Sequence, residues 1–235
     1  LLKYTLRHNL VLPCMPGCKY VTIGGMIANN ISGKLIKKNK IEYFIKSLKL
    51  INDKGKIIEC SKNKNKKLFD LTIGGKGRTG PIISAVINLR KINSDKFLER
   101  NVNFNNFLEF KKNLVFLKKY FYCVVWLDFT SKFFKGIFFF GNFLKKKKSN
   151  LSFNFKDISL PNFLLLIFSK LVTSRFFVKL FNFFFFQKFN FFKKRIIGIN
   201  SFSFPQNKIK NWNILFKNSG FIQFQFYFKI SKLNK

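Results

Sequence analysis

The stretch Val11-Leu-Pro-Cys-Met-Pro-Gly17, continued by Val21-Thr-Ile-Gly-Gly-Met-Ile-Ala-Asn-Asn-Ile-Ser-Gly-Lys34, decides how the chain is read. Pro13 and Pro16 hold an extended approach, and Gly17 permits a turn. A short strand is expected around Tyr20–Ile23, after which Gly24-Gly25 opens a helical segment, Met26 to Ile31, that Gly33 ends. A Gly-Gly pair at a helix start leaves N–H groups uncovered by side chains, which suits a pyrophosphate. An ordinary tight turn between a strand and a helix would use the same residues, so the stretch alone leaves both readings open.

Working outward, Ile45–Ile51 and Ile57–Cys60 flank Asn52-Asp-Lys-Gly-Lys56 and read as a hairpin. A short helix fits Lys66–Ile73. It leads into a second glycine cluster, Gly74-Gly-Lys-Gly-Arg-Thr-Gly80, and then a strand, Ile82–Leu89, in which Ile83, Ala85, Ile87 and Leu89 alternate with Ser84 and Asn88. The cluster lacks the Gly-x4-Gly-Lys-Ser/Thr order of a nucleotide P-loop and does not support an NTPase. Two glycine loops joined through a hairpin are expected to wall one cofactor cleft.

The 235 residues suffice for one large domain or two small ones, and 47% hydrophobic content with only 5 Pro excludes disorder and collagen-like repeats. The net charge is +36, carried by 39 Lys and only six Arg. Arg is the usual reader of phosphates and base edges, so nucleic acid is not expected as a partner. Lys, Asn, Ile and Phe share A/T-rich codons, and drift toward them accounts for most of the charge; attraction to an anionic membrane surface is the alternative. Cys14 and Cys18 with the single His8 do not supply four N/S ligands, so no metal is expected, and four Cys in a chain this long imply a reducing compartment. The first residue is Leu1 rather than Met, which reads as a fragment.

Residues 1–118 hold 7 Phe and 9 Gly, whereas residues 119–235 hold 29 Phe and 4 Gly. The halves are therefore expected to serve different ends, with residues 92–118 crossing between them. Leu160–Phe168 is too short for a membrane span and is followed by Lys170, Arg175 and Lys179; a buried helix is expected, with an interfacial membrane helix as the alternative. Lys145–Lys148 reads as a solvated loop and Phe183–Phe186 as core. Strands are expected at Cys123–Phe129 and Gly136–Phe140. Phe221–Phe228 alternates strictly, which sends Gln223 and Gln225 to one face, where they offer amides to a polyhydroxylated ligand or simply make a wet face of a sheet.

The ordered set Pro13-x-x-Pro16-Gly17, Val21-Thr-Ile-Gly-Gly-x-Ile-Ala28, Gly33-Lys34 and Gly74-Gly-x-Gly-x-Thr-Gly80 resembles the FAD-binding module of the p-cresol methylhydroxylase/vanillyl-alcohol oxidase type. Val124-Val-Trp-Leu-Asp128, Gly136 to Asn142, Trp212-Asn213 and Gly220–Phe226 are similar, in order, to the substrate-domain motifs of its decaprenylphosphoryl-β-D-ribose 2′-oxidase branch. The resemblance implies an α+β fold: the C-terminal part of a PCMH-type FAD-binding module at 1–92, then part of an antiparallel-sheet substrate, or cap, domain at 93–235. It implies FAD as cofactor, with Gly17, Thr22, Ile23, Gly24 and Gly25 on the diphosphate side and Asn29, Asn30, Ile31 and Ser32 on the ribityl and flavin side. Ile82 would lie near the adenine, and Gln223 and Gln225 in the substrate pocket.

The implied chemistry is oxidation of a sugar secondary alcohol by hydride transfer to flavin, with an aldonolactone oxidase or a non-catalytic split or decaying product as alternatives. The implied partners are a sugar or polyprenyl-phosphate sugar and a reductase or complementary fragment, at a cytoplasmic, inner-membrane-peripheral location. Ser32 stands where that branch carries His, and no residue of this chain is assigned to catalysis. The resemblance places the family's first glycine-rich FAD loop and its catalytic Lys outside this sequence, so weak FAD binding is expected of this chain alone.

Overall fold

The computed structural model describes residues 1–117, 119–145, 159–205, 207 and 209–216. Helix α1 (Leu2–Arg7) leads into β1 (Leu10–Val11), which pairs antiparallel with β5 (Arg90–Lys91). A three-stranded antiparallel sheet follows, ordered β3-β2-β4 from β2 (Ile45–Ile51), β3 (Ile57–Ser61) and β4 (Ile82–Ile87). The β2–β3 hairpin forms as expected: Asn52 Oδ1 accepts the N–H groups of Lys54 and Lys56, and Gly55 closes the turn at φ 73°. Helix α3 (Lys66–Thr72) also lies where its pattern predicts. On β4 the register slips between the Lys49 and Leu50 pairings, so Ile82 and Ala85 turn toward the core while Ile83 stays exposed, against the simple alternation.

Two expectations for the first forty residues need correcting. Tyr20–Ile23 is not a strand, and helix α2 runs Ile23–Ala28, three residues before the predicted start. The reason is Thr22: its extended backbone and its hydroxyl, which accepts the Gly25 N–H at 3.1 Å, make it the N-cap. Gly24 and Gly25 are therefore inside the first helical turn. Asn29, not Gly33, ends the helix.

Residues 92–118 do not form a crossing. They hold β6 (Lys96–Phe104), which lies between β8 (Gly136–Phe143) and β9 (Lys194–Gly198) in a four-stranded antiparallel sheet ordered β7-β8-β6-β9, and α4 (Phe107–Leu117). Alternation in β6 is hidden because Glu99 and Asn101 point inward with Phe97; Glu99 accepts from Arg195 Nε, and Asn101 donates to the Phe192 carbonyl at 2.5 Å. Strand β7 (Tyr122–Leu127) pairs with β8, which confirms both predicted strands as neighbours. Gly136 and Gly141 make this close pairing feasible: a Cβ on Gly136 would sit 2.6 Å from Phe104 Cζ, and one on Gly141 2.0 Å from the Leu98 carbonyl oxygen.

One hydrophobic cluster joins the two sheets. Val11, Met26, Leu48 and Leu50 belong to it together with Phe97, Tyr122, Ile199, Phe202 and Phe204. Phe97 stacks on Phe202 with centroids 4.2 Å apart and meets Tyr122 edge-on. Phe202 comes from α7 (Ile199–Ser203), a short helix following β9.

Helix α6 (Arg175–Phe191) lies on β6 and β8 of the second sheet, and α5 (Asn162–Thr173) packs against α6 and the short 3-10 turn Trp212–Phe216. Leu165 is buried, but Phe163, Ile167 and Phe168 are exposed, so the expected buried helix at 160–168 is a surface helix. Of Phe183–Phe186, read as core, Phe186 is buried and Phe183 and Phe184 are exposed: a single helix of this kind can bury only one stripe, and here the stripe is Asn182, Phe186 and Phe189. Among the described residues no helix is long and apolar enough to cross a membrane. Of the run Lys145–Lys148, Lys145 is exposed and the others lie outside the described residues, as do Gln223 and Gln225.

Candidate functional site

Helix α2 organises the site. With only six residues it owes its position to what surrounds it: Met26 and Ile27 are buried, and the loop before it is tied to distant chain. Asn207 accepts the Lys19 N–H at 2.9 Å and donates toward Cys18 Sγ at 3.8 Å, linking positions nearly two hundred residues apart. A cavity of about 290 Å³ opens beside the helix start, lined by Pro16, Lys19, Thr22, Ile23, Met26 and Phe204 among others. That volume takes part of a dinucleotide rather than all of it.

Of the predicted diphosphate residues, Thr22 and Ile23 line this cavity and Gly17 sits between two lining residues, Pro16 and Cys18. Among the described residues no acceptor meets the N–H groups of Ile23 and Gly24, whereas the Gly25 N–H is taken by Thr22. A Cβ on Gly24 would reach Ile82 Cβ at 4.0 Å, so Gly24 and Ile82, predicted at opposite ends of the ligand's diphosphate-to-adenine path, are neighbours across the strand–helix contact. A Cβ on Gly25 would come within 3.0 Å of Thr22 Oγ1, so a side chain there would press on the cap.

The residues predicted on the ribityl and flavin side follow the helix and are bound into the fold. Asn29 donates to the Gly25 carbonyl at 2.9 Å, and Asn30, at φ 43°, donates to Glu42 at 2.6 Å. The Ile31 carbonyl accepts from the Ile41 N–H, and Ser32 bridges to Lys40. Buried Cys14 fastens the loop from beneath, donating to the carbonyls of Asn39 at 3.1 Å and Ile31 at 3.4 Å; burial pushes its thiol up to about 12, although the Gly33 N–H opposes this. Such a thiol is a structural group and not a nucleophile.

The second glycine loop meets α2 at its other end. The Gly74 N–H donates to the Ile27 carbonyl and the Lys76 N–H to that of Ala28, at 3.0 and 2.8 Å. The two glycine clusters thus bracket the helix; neither lines the cavity with a glycine, and only the neighbours of the first, Thr22, Ile23 and Met26, border it.

Three residues of the site were given no role from the sequence. Phe204 and Asn207 reach it only through tertiary folding. Lys34 was visible in a motif but without a role: its amine donates to the Ser203 carbonyl at 2.9 Å and to that of Phe202, and lies over the Phe202 ring. Burial pulls its pKa down from 10.5 to about 8, against the opposing pull of Glu99. The backbone of Lys34 accepts the Cys123 N–H at 2.9 Å, Leu35 bridges to Tyr122, and the Ile36 N–H donates to Phe121, so the glycine motif runs directly into the edge of β7.

Comparison with known proteins bears on this arrangement. Residues 1–61 match the FAD binding domain family. The chain is 24% identical over 242 residues to decaprenylphosphoryl-β-D-ribose oxidase of Mycolicibacterium smegmatis, covering 96% of this chain and 52% of that protein. It is 34% identical over 89 residues to cytokinin dehydrogenase 5 of Arabidopsis thaliana, 37% of this chain and 16% of that one. It is also 33% identical over 89 residues to D-lactate dehydrogenase of Archaeoglobus fulgidus, 35% and 20%. The chain thus spans about half of the first of these and a fifth or less of the others. The cofactor is FAD, the fold is that of an α+β PCMH-type module, and the relationship is to FAD-linked oxidases and dehydrogenases. The residues present fit that cofactor at its diphosphate: the Ile23 and Gly24 N–H groups, without an acceptor among the described residues, no side chain at Gly24, and a cavity beside them.

Proposed function

We propose that the chain belongs to an FAD-dependent oxidoreductase that oxidises a secondary alcohol of a sugar, dividing into an FAD module at 1–92 and a substrate-facing part at 93–235. The observation that carries this reading is the reach of the similarity. The dehydrogenase matches cover little more than a third of the chain, whereas the match to the ribose oxidase extends over 96% of it and therefore includes the four-stranded sheet. Similarity confined to a cofactor module says nothing of substrate; similarity through the second sheet favours a sugar.

FAD supplies, when bound, a hydride-accepting flavin. In this reading Gly17, Thr22, Ile23, Gly24 and Gly25 lie on the diphosphate side, with the N–H groups of Ile23 and Gly24 as its donors because the Gly25 N–H is held by the Thr22 hydroxyl, and Ile82 packs at the adenine end. Asn29, Asn30, Ile31 and Ser32 would face the ribityl and flavin portion, the side-chain amides of Asn29 and Asn30 being engaged as described. Gln223 and Gln225 would orient the sugar hydroxyls. A polyprenyl-phosphate carrier on the sugar is favoured by the name of the ribose oxidase and by nothing narrower.

The experiment is titration of the chain with FAD, followed by flavin fluorescence, for wild type and Gly24→Asp. A carboxylate there would repel the diphosphate and fill the space before Ile82. Weak but saturable binding, lowered about tenfold or more in the variant, is expected, from the loss of one or two charge-assisted contacts. Equal affinities would remove Gly24 from the diphosphate site. Sugar alcohols, an aldonolactone and D-lactate, offered anaerobically to the FAD-loaded protein, then distinguish substrate classes by bleaching of the flavin; bleaching by the lactone alone would favour the aldonolactone oxidase.

A further inference from the structure

We propose that the outer face of helices α5 and α6 is a membrane-docking surface that inserts phenylalanine rings into the interface of a bilayer containing anionic lipid. This goes beyond the flavin chemistry and does not depend on it.

The observation is an inverted helix surface. On α6 the inward stripe is Asn182, Phe186 and Phe189, held by the Asn182 amide on Asp128 at 2.8 Å and by Asn103, which donates to the Phe186 carbonyl at 3.3 Å. The opposite side, which an ordinary surface helix fills with polar residues, carries Phe176, Leu180 and Phe184 about one helical turn apart and Phe191 two turns further on, the three Phe being 67, 62 and 81% exposed. Phe163 and Ile167 of α5 are likewise exposed. Between the two helices lies an apolar cavity of about 460 Å³, lined by Leu171, Val172, Phe177, Val178, Phe181 and Asn182. A patch of this kind, larger than isolated exposed residues, marks an interaction site.

Charge complementarity selects the occupant. Residues 159–205 carry Lys170, Arg175, Lys179, Lys188, Lys193, Lys194 and Arg195 and not one Asp or Glu. Of these Arg195 meets Glu99, and with no acid on either helix a protein partner's apolar patch would gain nothing from the rest, while a second copy of this chain would oppose them with a like-charged surface. A polyanion alone would have no use for the rings. An anionic bilayer satisfies both, since cations reach its headgroups while rings enter the acyl boundary. A drift toward A/T-rich codons explains the abundance of Phe and Lys in the chain but not the placement of one at the outer pole and the absence of acids throughout both helices.

The test is flotation of the 235-residue chain with vesicles of phosphatidylcholine alone and with phosphatidylglycerol added, for wild type, Phe176→Ser/Phe184→Ser, and Phe184→Trp. Binding to the anionic vesicles only is expected, lowered about tenfold or more by the double serine change because two buried rings are lost. In Phe184→Trp, lipids brominated on the acyl chains should quench the new indole, over the signal of Trp126 and Trp212. Circular dichroism checks that the serine variant is folded; if it is not, the tryptophan variant decides alone. Unaltered binding in a folded serine variant, absence of quenching, equal binding to neutral vesicles, or a lipid-free dimer that the serine changes dissolve would each overturn the proposal.

Discussion

Replacing Lys34 by Met should abolish a rise in stability at alkaline pH. In the fold the amine is buried beside the carbonyls of Phe202 and Ser203 and titrates near 8, whereas in the unfolded chain it titrates at its ordinary 10.5. Below 8 both states are protonated, and the fold bears the whole cost of burying the cation. Between 8 and 10.5 the unfolded state binds the extra proton, so stability climbs with pH; above that window both are neutral and the climb stops. The full span corresponds to about 3 kcal/mol, of which about 2 kcal/mol should appear between pH 7 and pH 9.5. Many other lysines begin to titrate there, so the quantity to read is the difference between wild type and Lys34→Met in urea-unfolding free energy at the two pH values. At pH 7 the two should be close, because Met removes the buried charge but leaves two carbonyls without a donor, each loss worth about 1 kcal/mol. A difference that stays constant with pH, or shifts in favour of Met, would refute the burial argument.

Two further perturbations address the second sheet. Gly141→Ala should lower the urea midpoint by the equivalent of about 1–3 kcal/mol, since its Cβ would lie 2.0 Å from the Leu98 carbonyl oxygen and β8 must move; Gly17→Ala, with nothing within 4 Å, should change it by less than about 0.5 kcal/mol. Asp128→Asn should flatten the acid limb of the stability curve. Burial would raise that carboxyl, but hydrogen bonds from Thr130, Asn182 and Lys135 outweigh it and hold the pKa below 3.8. Its contribution is therefore present above 3.8 and disappears as pH falls through the lower folded value, and a wild-type and variant pair unfolding in parallel from pH 5 to pH 2 would show that Asp128 does not titrate as argued.

What the sequence disclosed and what it hid divide along one line. Signals carried by a few consecutive residues were legible: Asn52–Lys56 as a hairpin turn, Lys66–Thr72 as a helix, and the β7 and β8 runs as strands. The start of α2 was legible too, but Gly24-Gly25 drew the boundary away from Thr22, whose hydroxyl is the stronger start signal. Strand β6 was hidden because Glu99 and Asn101 occupy its inward face and look solvated until Arg195 and the Phe192 carbonyl are folded against them. The outer faces of α5 and α6 were misread for the opposite reason. Apolar residues suggest burial, and only the packing shows that the core has room for one stripe. At the site, Gly24-Gly25 came from local pattern and Gly17, Thr22 and Ile23 from the family resemblance, while Phe204 and Asn207 depend on contacts that no spacing rule encodes.

The segment that follows the glycine motif explains why cofactor helix and second sheet can act as one body. From the end of α2 at Ala28 only five residues separate the chain from Lys34, whose carbonyl already receives the Cys123 N–H of β7. Leu35 then pairs with Tyr122, whose ring lies against Phe97 of β6 and Phe202 of α7, and the Lys34 amine closes the circuit on the carbonyls beside Phe202. Arg90, next to β4, lays its guanidinium 3.4 Å from the centroid of the Phe121 ring and adds a second tie from the first sheet. A displacement of α2 relative to the second sheet would have to break backbone pairs and unstack buried rings together, and packed cores resist such gradual deformation. In the proposed oxidoreductase a diphosphate at Gly24 and a substrate on the second sheet would be kept at a distance set by packing that a hinge does not interrupt, the condition that hydride transfer would place on its two partners.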